Sequence, residues 1–195
     1  AAIAPDLVIQ VVPGAPAHLM WAGPRMVRKG EKISLRVRAE DQWGNTCWDR
    51  AEKIEISATL DGKTVYEKKA TLAGSGWAVL LLSDLPTDKP GELIITANLP
   101  EHPWMKPQSF YVTVDKDLTV PRIFYCDLHV HSEDTIGTNS TTYNLTYGRD
   151  VTGLDVLAFA HNDFNITIER WKKTVELMRE ITKDGSFIAY PGTEW

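Results

Sequence analysis

The sequence predicts a multi-domain fold: an antiparallel β-sandwich over residues 1–116, followed by part of an α/β domain over residues 117–195. Two observations carry this. From Leu7 to Lys116 short runs of β-forming residues are broken repeatedly by turn residues. Beyond the charged stretch Asp115-Lys116-Asp117, dense apolar runs alternate with helical periodicity, the mark of a parallel sheet covered by helices. A chain of 195 residues has room for two such units.

The expected strands of the first part are Leu7–Val12, His18–Ala22, Lys32–Asp41, Lys53–Leu60, Thr64–Leu72, Trp77–Ser83, Glu92–Asn98 and Ser109–Val114. Ile33, Leu35, Val37 and Ala39 alternate with polar residues, as a strand with one buried face requires. Asp61-Gly62 lies between two strands, and Asp-Gly readily takes the positive φ angles of a two-residue hairpin turn. Further breaks fall at Pro13-Gly14, Gly23-Pro24, Gly44-Asn45 and Pro90-Gly91. The stretch Val12–Asn45, with its turns at Pro13-Gly14 and Gly44-Asn45, resembles bacterial immunoglobulin-like modules of the invasin type.

In the second part the apolar run Ile123–Val130 reads as a buried strand. Thr142–Thr152 reads as a helix closed by Gly153, and Leu154–Ala160 as a second strand. Ile168, Trp171, Val175, Met178 and Ile181 recur at helical spacing, so a helix is expected to run to about Lys183, where Asp184-Gly185 stops it. Phe187–Tyr190 is the third strand.

Charge and composition narrow the function classes. The net charge is −5 and no Lys/Arg stripe is present, which argues against a duplex nucleic-acid partner. No apolar run approaches the ~20 residues that cross a bilayer, so no membrane partner is expected. Ala1–Pro5 has no basic segment leading into an apolar core, and the chain begins with Ala, so it reads as a processed or excised piece whose compartment stays open. Cys47 and Cys126 fall in different parts, and no disulfide is expected.

The chemistry gathers at strand ends. In Asp127-Leu128-His129-Val130-His131 alternate side chains share a face, so Asp127, His129 and His131 project together. Neighbouring same-face positions lie roughly 6.5–7 Å apart, which lets two imidazoles converge on one ion. An upstream carboxylate such as Asp127 can anchor a ligand histidine through its other ring N–H. His161, Asn162 and Asp163 follow the second strand, and Glu194 follows the third, just past Pro191-Gly192. Parallel sheets collect functional groups at the carboxyl ends of their strands. Each residue alone has a plainer explanation, as a loop, cap or surface group. Together they point to a divalent metal ion held by His129, His131 and Glu194, with Asp127 in support. His161 or Asp163 would supply a further ligand or a general base.

Asp127-Leu128-His129-Val130-His131-Ser132 resembles the opening motif of the PHP superfamily, named for polymerase and histidinol phosphatase. Pro191-Gly192-Thr193-Glu194-Trp195 resembles the later strand end that supplies a bridging metal carboxylate in that superfamily. The segments IGTNS, GRDVTGLDVL, NDFNIT and YPGTEW resemble a family of bacterial proteins in which a β domain precedes a PHP-like one. The resemblance spans about Phe124 to Trp195. It implies a distorted α/β barrel, divalent zinc, manganese or iron, and hydrolysis of phosphate esters, with a small-molecule or phosphate-ester substrate as the partner. It implies that His129 and His131 bind one metal and that Glu194 bridges. The chain departs from the pattern in two places. Ala160-His161-Asn162 stands where Thr-Asp-His is usual, and Gly137 stands where a ligand is usual, with Asp134 nearby. One or two metals are therefore expected.

Asp41 near the Gly44-Asn45 turn reads as turn chemistry, and Trp43 and Trp48 beside it read as packing residues with a sugar platform as the alternative. Asn139-Ser140-Thr141, Asn144-Leu145-Thr146 and Asn165-Ile166-Thr167 match the glycosylation pattern and read as loop and helix-cap chemistry. The functional expectation is a metal-dependent phosphoesterase-type hydrolase. The alternative is a binding or scaffold protein with a degenerate metal site, in which the sandwich does the recognition. The barrel is expected to be cut short at Trp195, leaving the fragment inactive or complemented by another chain that carries the remaining strands.

Overall fold

A computed structural model describes residues 9–73 and 77–195. The N-terminal segment expectations at Ala1–Pro5, and the Leu7-Val8 start of the first expected strand, lie outside the described residues. Residues 9–12 are not a strand. Among the described residues eight strands precede Asp117: β1 (His18–Ala22), β2 (Met26–Arg28), β3 (Leu35–Glu40), β4 (Glu52–Leu60), β5 (Lys63–Leu72), β6 (Val79–Leu82), β7 (Gly91–Asn98) and β8 (Gln108–Asp115). They form a five-stranded sheet in the order β2-β8-β7-β4-β5 and a three-stranded sheet in the order β1-β3-β6. The pairings are antiparallel except β2 with β8. The sandwich is thus present, and the short β2, which the apolar pattern does not announce, is its one unexpected strand.

Alternation explains the layers. In β4 and β7 every second side chain is buried, and Ile54, Ile56, Ala58, Leu93, Ile95 and Ala97 face Leu35, Val37 and Leu82 of the other sheet in one core. Asp61 and Gly62 take φ angles of 51° and 72°, so the two-residue hairpin between β4 and β5 turns as expected. Cys47 and Cys126 are both free.

Asp41 is buried and its carboxylate is fully used. It accepts hydrogen bonds from the backbone N–H groups of Gly14, Trp43 and Asn45 and from the Asn45 side chain. Burial alone would push this carboxyl up, but these donors outweigh it and hold the group well below the usual carboxylate range. Its oxygens serve the turn. Trp43 and Trp48 are both exposed, with the Trp43 ring edge close to Gly14.

The second part contains β9 (Cys126–Val130), α1 (Thr141–Thr146), β10 (Val156–Phe159), β11 (His161–Asn162), α2 (Ile168–Ile181), β12 (Ile188–Tyr190) and β13 (Thr193–Glu194). A π-helical turn, Tyr147–Thr152, continues α1 and ends at Gly153, which adopts the left-handed conformation with φ 73°. The Ser140 hydroxyl caps α1 and the Thr167 hydroxyl caps α2. Both β9 and β12 pair in parallel with β10, and β11 continues the pairing to β13. Leu145, Leu157, Phe159, Met178, Phe187 and Ala189 form a separate small core.

Two expectations need correction here. The distorted barrel is absent: among the described residues the three parallel strands form an open sheet, β12-β10-β9, with two free edges. The run Ile123–Val130 is not buried either, and Ile123, Phe124 and Leu128 are exposed. The physical reason is position, because β9 lies at the edge of the sheet and the small core does not reach beyond Val130.

One buried charge ties the two parts together. Arg38 on β3 donates to Glu40 Oε1 at 2.8 Å through Nε and to the carbonyl of Val151 at 2.9 Å through Nη1. His18 Nε2 lies 3.0 Å from the second Glu40 oxygen. Arg38→Ala is expected to cost about 3 kcal/mol in chemical denaturation, because it strands the Glu40 carboxylate. The double change Arg38→Met, Glu40→Gln should cost clearly less, and equal losses would show that the charge pairing is not the reason.

A second expectation concerns Asp41. Its carboxyl titrates lower in the folded chain than the ordinary ~3.9, so its stabilising effect is complete above that value and is lost as pH falls toward the lower folded value. Asp41→Ala should lower the thermal midpoint at pH 7, and the gap to the parent should narrow below about pH 4. A gap independent of pH would refute the account.

Candidate metal centre

The register of the small sheet brings three strand ends to one rim. His129 and His131 point the same way from the end of β9, with Nε2 atoms 3.1 Å apart and ring planes at 72°. Asn162 pairs with Glu194 in the β11–β13 ladder, which carries the Glu194 carboxylate toward the imidazoles. Glu194 Oε2 lies 3.4 Å from His129 Nε2 and 3.3 Å from His131 Nε2. Among the described residues His129, His131 and Glu194 are the group whose ligand atoms lie close enough to share an ion, all within 4.8 Å of one another.

These separations test the fit. A tetrahedral ion held at about 2.0–2.1 Å from nitrogen and oxygen has ligand atoms about 3.3 Å apart. The three observed edges, 3.1, 3.3 and 3.4 Å, match that triangle. Two imidazoles and one carboxylate are also donors that suit zinc or iron better than the hard cations calcium and magnesium. The triangle is open to solvent, since the His129 and Glu194 side chains are 62% and 45% exposed.

Backbone packing holds the triad. Asn144 Nδ2 on α1 donates to the His131 carbonyl at 2.9 Å. The loop after His131 folds so tightly that a Cβ at Gly137 would lie 2.7 Å from the His131 carbonyl, so no ligand side chain can stand at that position. A Cβ at Gly192 would lie 2.5 Å from the Phe159 carbonyl, and that close crossing sets the path into β13.

The other expected site residues are elsewhere. The Asp127 carboxylate accepts from the backbone N–H of His129 at 3.1 Å, so it orients the strand end and not an imidazole. His161 is fully buried, stacked on Phe159 at 5.0 Å with the Trp171 edge beyond, and neither ring nitrogen has a partner among the described residues. Burial pushes its pKa down, with Asp134 opposing and His131 adding to the effect. Asn162 Nδ2 donates to Glu194 Oε2 at 3.3 Å, which steadies the carboxylate. Asp163 is exposed, and its backbone N–H pairs with the Glu194 carbonyl. Asp134 accepts from the Thr141 hydroxyl, and Ser132 lies buried beside them. Asn144 was legible only as part of a glycosylation-type triplet. Its support of His131 depends on how α1 packs.

No family model matches the chain, and no curated protein matches it. Several solved structures overlap part of it. The CARDB domain of a Pyrococcus furiosus protein, solved in complex with di-metal ions, is 15% identical, with 58% of this chain and 100% of that chain covered and a TM-score of 0.35. Invasin, a bacterial integrin-binding protein, is 16% identical over 51% of this chain and 19% of its own, at a TM-score of 0.37. A putative superoxide reductase from Thermotoga maritima is 14% identical over 50% of this chain and 86% of its own, at 0.35. These are immunoglobulin-like and β-sandwich domains. The expected PHP membership is corrected: no family model and no curated protein of that superfamily matches the chain, and the expected PHP-type hydrolase loses its support with it.

Gly192→Ala removes no ligand, yet it should push β13 away from β10 and disperse the triad. Its zinc affinity, read by competition with a chromophoric chelator, is expected to fall by at least about tenfold. Parent-like affinity would mean that this crossing does not position Glu194.

Proposed function

We propose that this chain is a binding or scaffold module whose sandwich does the recognising and whose α/β part carries one divalent metal ion on His129, His131 and Glu194. The observation that carries the metal reading is the triangle of donor atoms at 3.1, 3.3 and 3.4 Å. Zinc is the ion that best suits two imidazoles and a carboxylate in tetrahedral geometry. With three protein ligands on a triangle open to solvent, the ion accepts a donor atom from water or from a partner. The binding reading has separate support. Among the described residues β5 pairs only with β4, so the outer edge of the sandwich's larger sheet offers free backbone groups beside exposed Val65. Free edges and exposed apolar patches of this kind are where other chains attach.

Isothermal titration of the chain with zinc chloride should show one ion bound per chain. His131→Ala and Glu194→Gln should each weaken it by at least about tenfold, because each removes one of three donors. Absence of zinc binding, or binding untouched by both changes, would remove the metal from the proposal.

A further inference from the structure

The amino ends of β9, β10 and β12 face the sandwich, and between them lies a cleft of about 530 Å³. A second lobe of about 280 Å³ shares Gly23, Arg25, Tyr125, Gly153 and Leu154 with it. Clefts of roughly 300–1,000 Å³ are the size that takes small organic ligands.

The walls are unusual for an acidic protein. Arg25, Arg28, Lys32, Arg36 and Arg122 line the larger lobe, and only Glu31 and Asp155 oppose them within the lining. The chain as a whole carries −5, so the cleft reverses its sign locally. The two carboxylates are already engaged. Glu31 Oε2 accepts from the Arg28 backbone N–H at 3.0 Å, and Asp155 Oδ2 accepts from the Tyr125 N–H at 2.9 Å. Arg122 lies 3.5 Å from the other Asp155 oxygen, a loose pairing. Arg36 is half-buried beside Gly153, and desolvation lowers its pKa against the attraction of Asp150 and Asp155. A guanidinium kept partly dry and short of counter-charge gains from an incoming anion.

The rest of the lining is apolar. Trp21, Phe110 and Tyr125 line the smaller lobe, where the Arg25 guanidinium already sits 4.3 Å from the Phe110 ring centre. In the larger lobe Val120 and Ile123 are 52% and 72% exposed and Val27 and Ile33 form the floor. We propose that this cleft binds a small organic anion, a carboxylate or phosphate carried on an aromatic or apolar body. The cations would hold the oxyanion, and the aromatic lobe would take the body.

Isothermal titration of the chain with 1-naphthyl phosphate, 2-naphthoate and neutral 2-naphthol tests this. The two anions should bind and the neutral probe should bind at least about tenfold more weakly, since only the anions meet the guanidinium groups. Whichever anion binds more tightly names the preferred oxyanion. Arg36→Gln should weaken anion binding by about tenfold or more, and the exposed Arg122→Gln, which leaves the fold undisturbed, should weaken it by a smaller factor. Equal affinity for naphthol and the anions, no binding of any probe, or anion binding unchanged in both variants would each overturn the proposal.

Discussion

The buried Arg38 guanidinium joins the two parts, beside the edge-on packing of Trp77 against Tyr143 and Tyr147. It sits nearly buried on a central strand of the smaller sheet, satisfied by Glu40 on its own strand and by the Val151 carbonyl from the second part. A buried cation is costly unless its donors are filled, so the backbone at Val151 has little freedom to move away. Val151 lies in the π-helical turn that leads through Gly153 into β10. Fixing that turn therefore fixes the start of the central strand of the parallel sheet. The strands β9 and β12 follow by register, so the small sheet is set against the sandwich as one layer.

The meeting of His129, His131 and Glu194 is an outcome of register more than of sequence proximity. His129 and His131 meet because alternate residues of one strand share a face. Glu194 joins them because β11 aligns Asn162 with Glu194 and because the chain passes Phe159 at a point where only glycine fits. Asn162 and Asn144 then steady this group, one through the Glu194 carboxylate and one through the His131 backbone. Such supporting hydrogen bonds decide whether three donors stand at coordinating distance or drift apart.

Much of this was legible in the chain. The alternation in β4 and β7, the Asp-Gly hairpin and the parallel strand order follow from local pattern and turn chemistry. So does the convergence of His129, His131 and Glu194, because strand polarity alone sends those residues to one rim. What failed has a common cause. The burial of Ile123–Val130 was read from composition, but burial depends on what packs against a strand, and β9 is an edge. Asp127 carries the right chemistry but uses it on the backbone N–H of His129. His161 was read as a further ligand or a general base from its position after the second strand, yet its ring turns into the core against Phe159. The short motifs that suggested the PHP superfamily specify strand ends with polar residues, which a single open parallel sheet also provides.

A parallel sheet has two unlike rims, and in this molecule they differ in chemistry. Every strand runs the same way, so the carboxyl ends gather on one side and the amino ends on the other. The carboxyl side presents the imidazoles and the Glu194 carboxylate. The amino side faces the sandwich. Its contributions to the cleft, Tyr125 before β9, Leu154 and Asp155 before β10, and Gly185 and Ser186 before β12, are mostly backbone and small or apolar groups. The cations there come mainly from the sandwich, from Arg25 to Arg36. The cleft thus needs both parts, whereas the triad needs only the second. A change that loosens the Arg38 joint should disturb the two sites unequally, opening the cleft while leaving His129, His131 and Glu194 together on their own sheet. The sheet polarity therefore separates a site that belongs to one layer from a site that exists only because the two layers are joined.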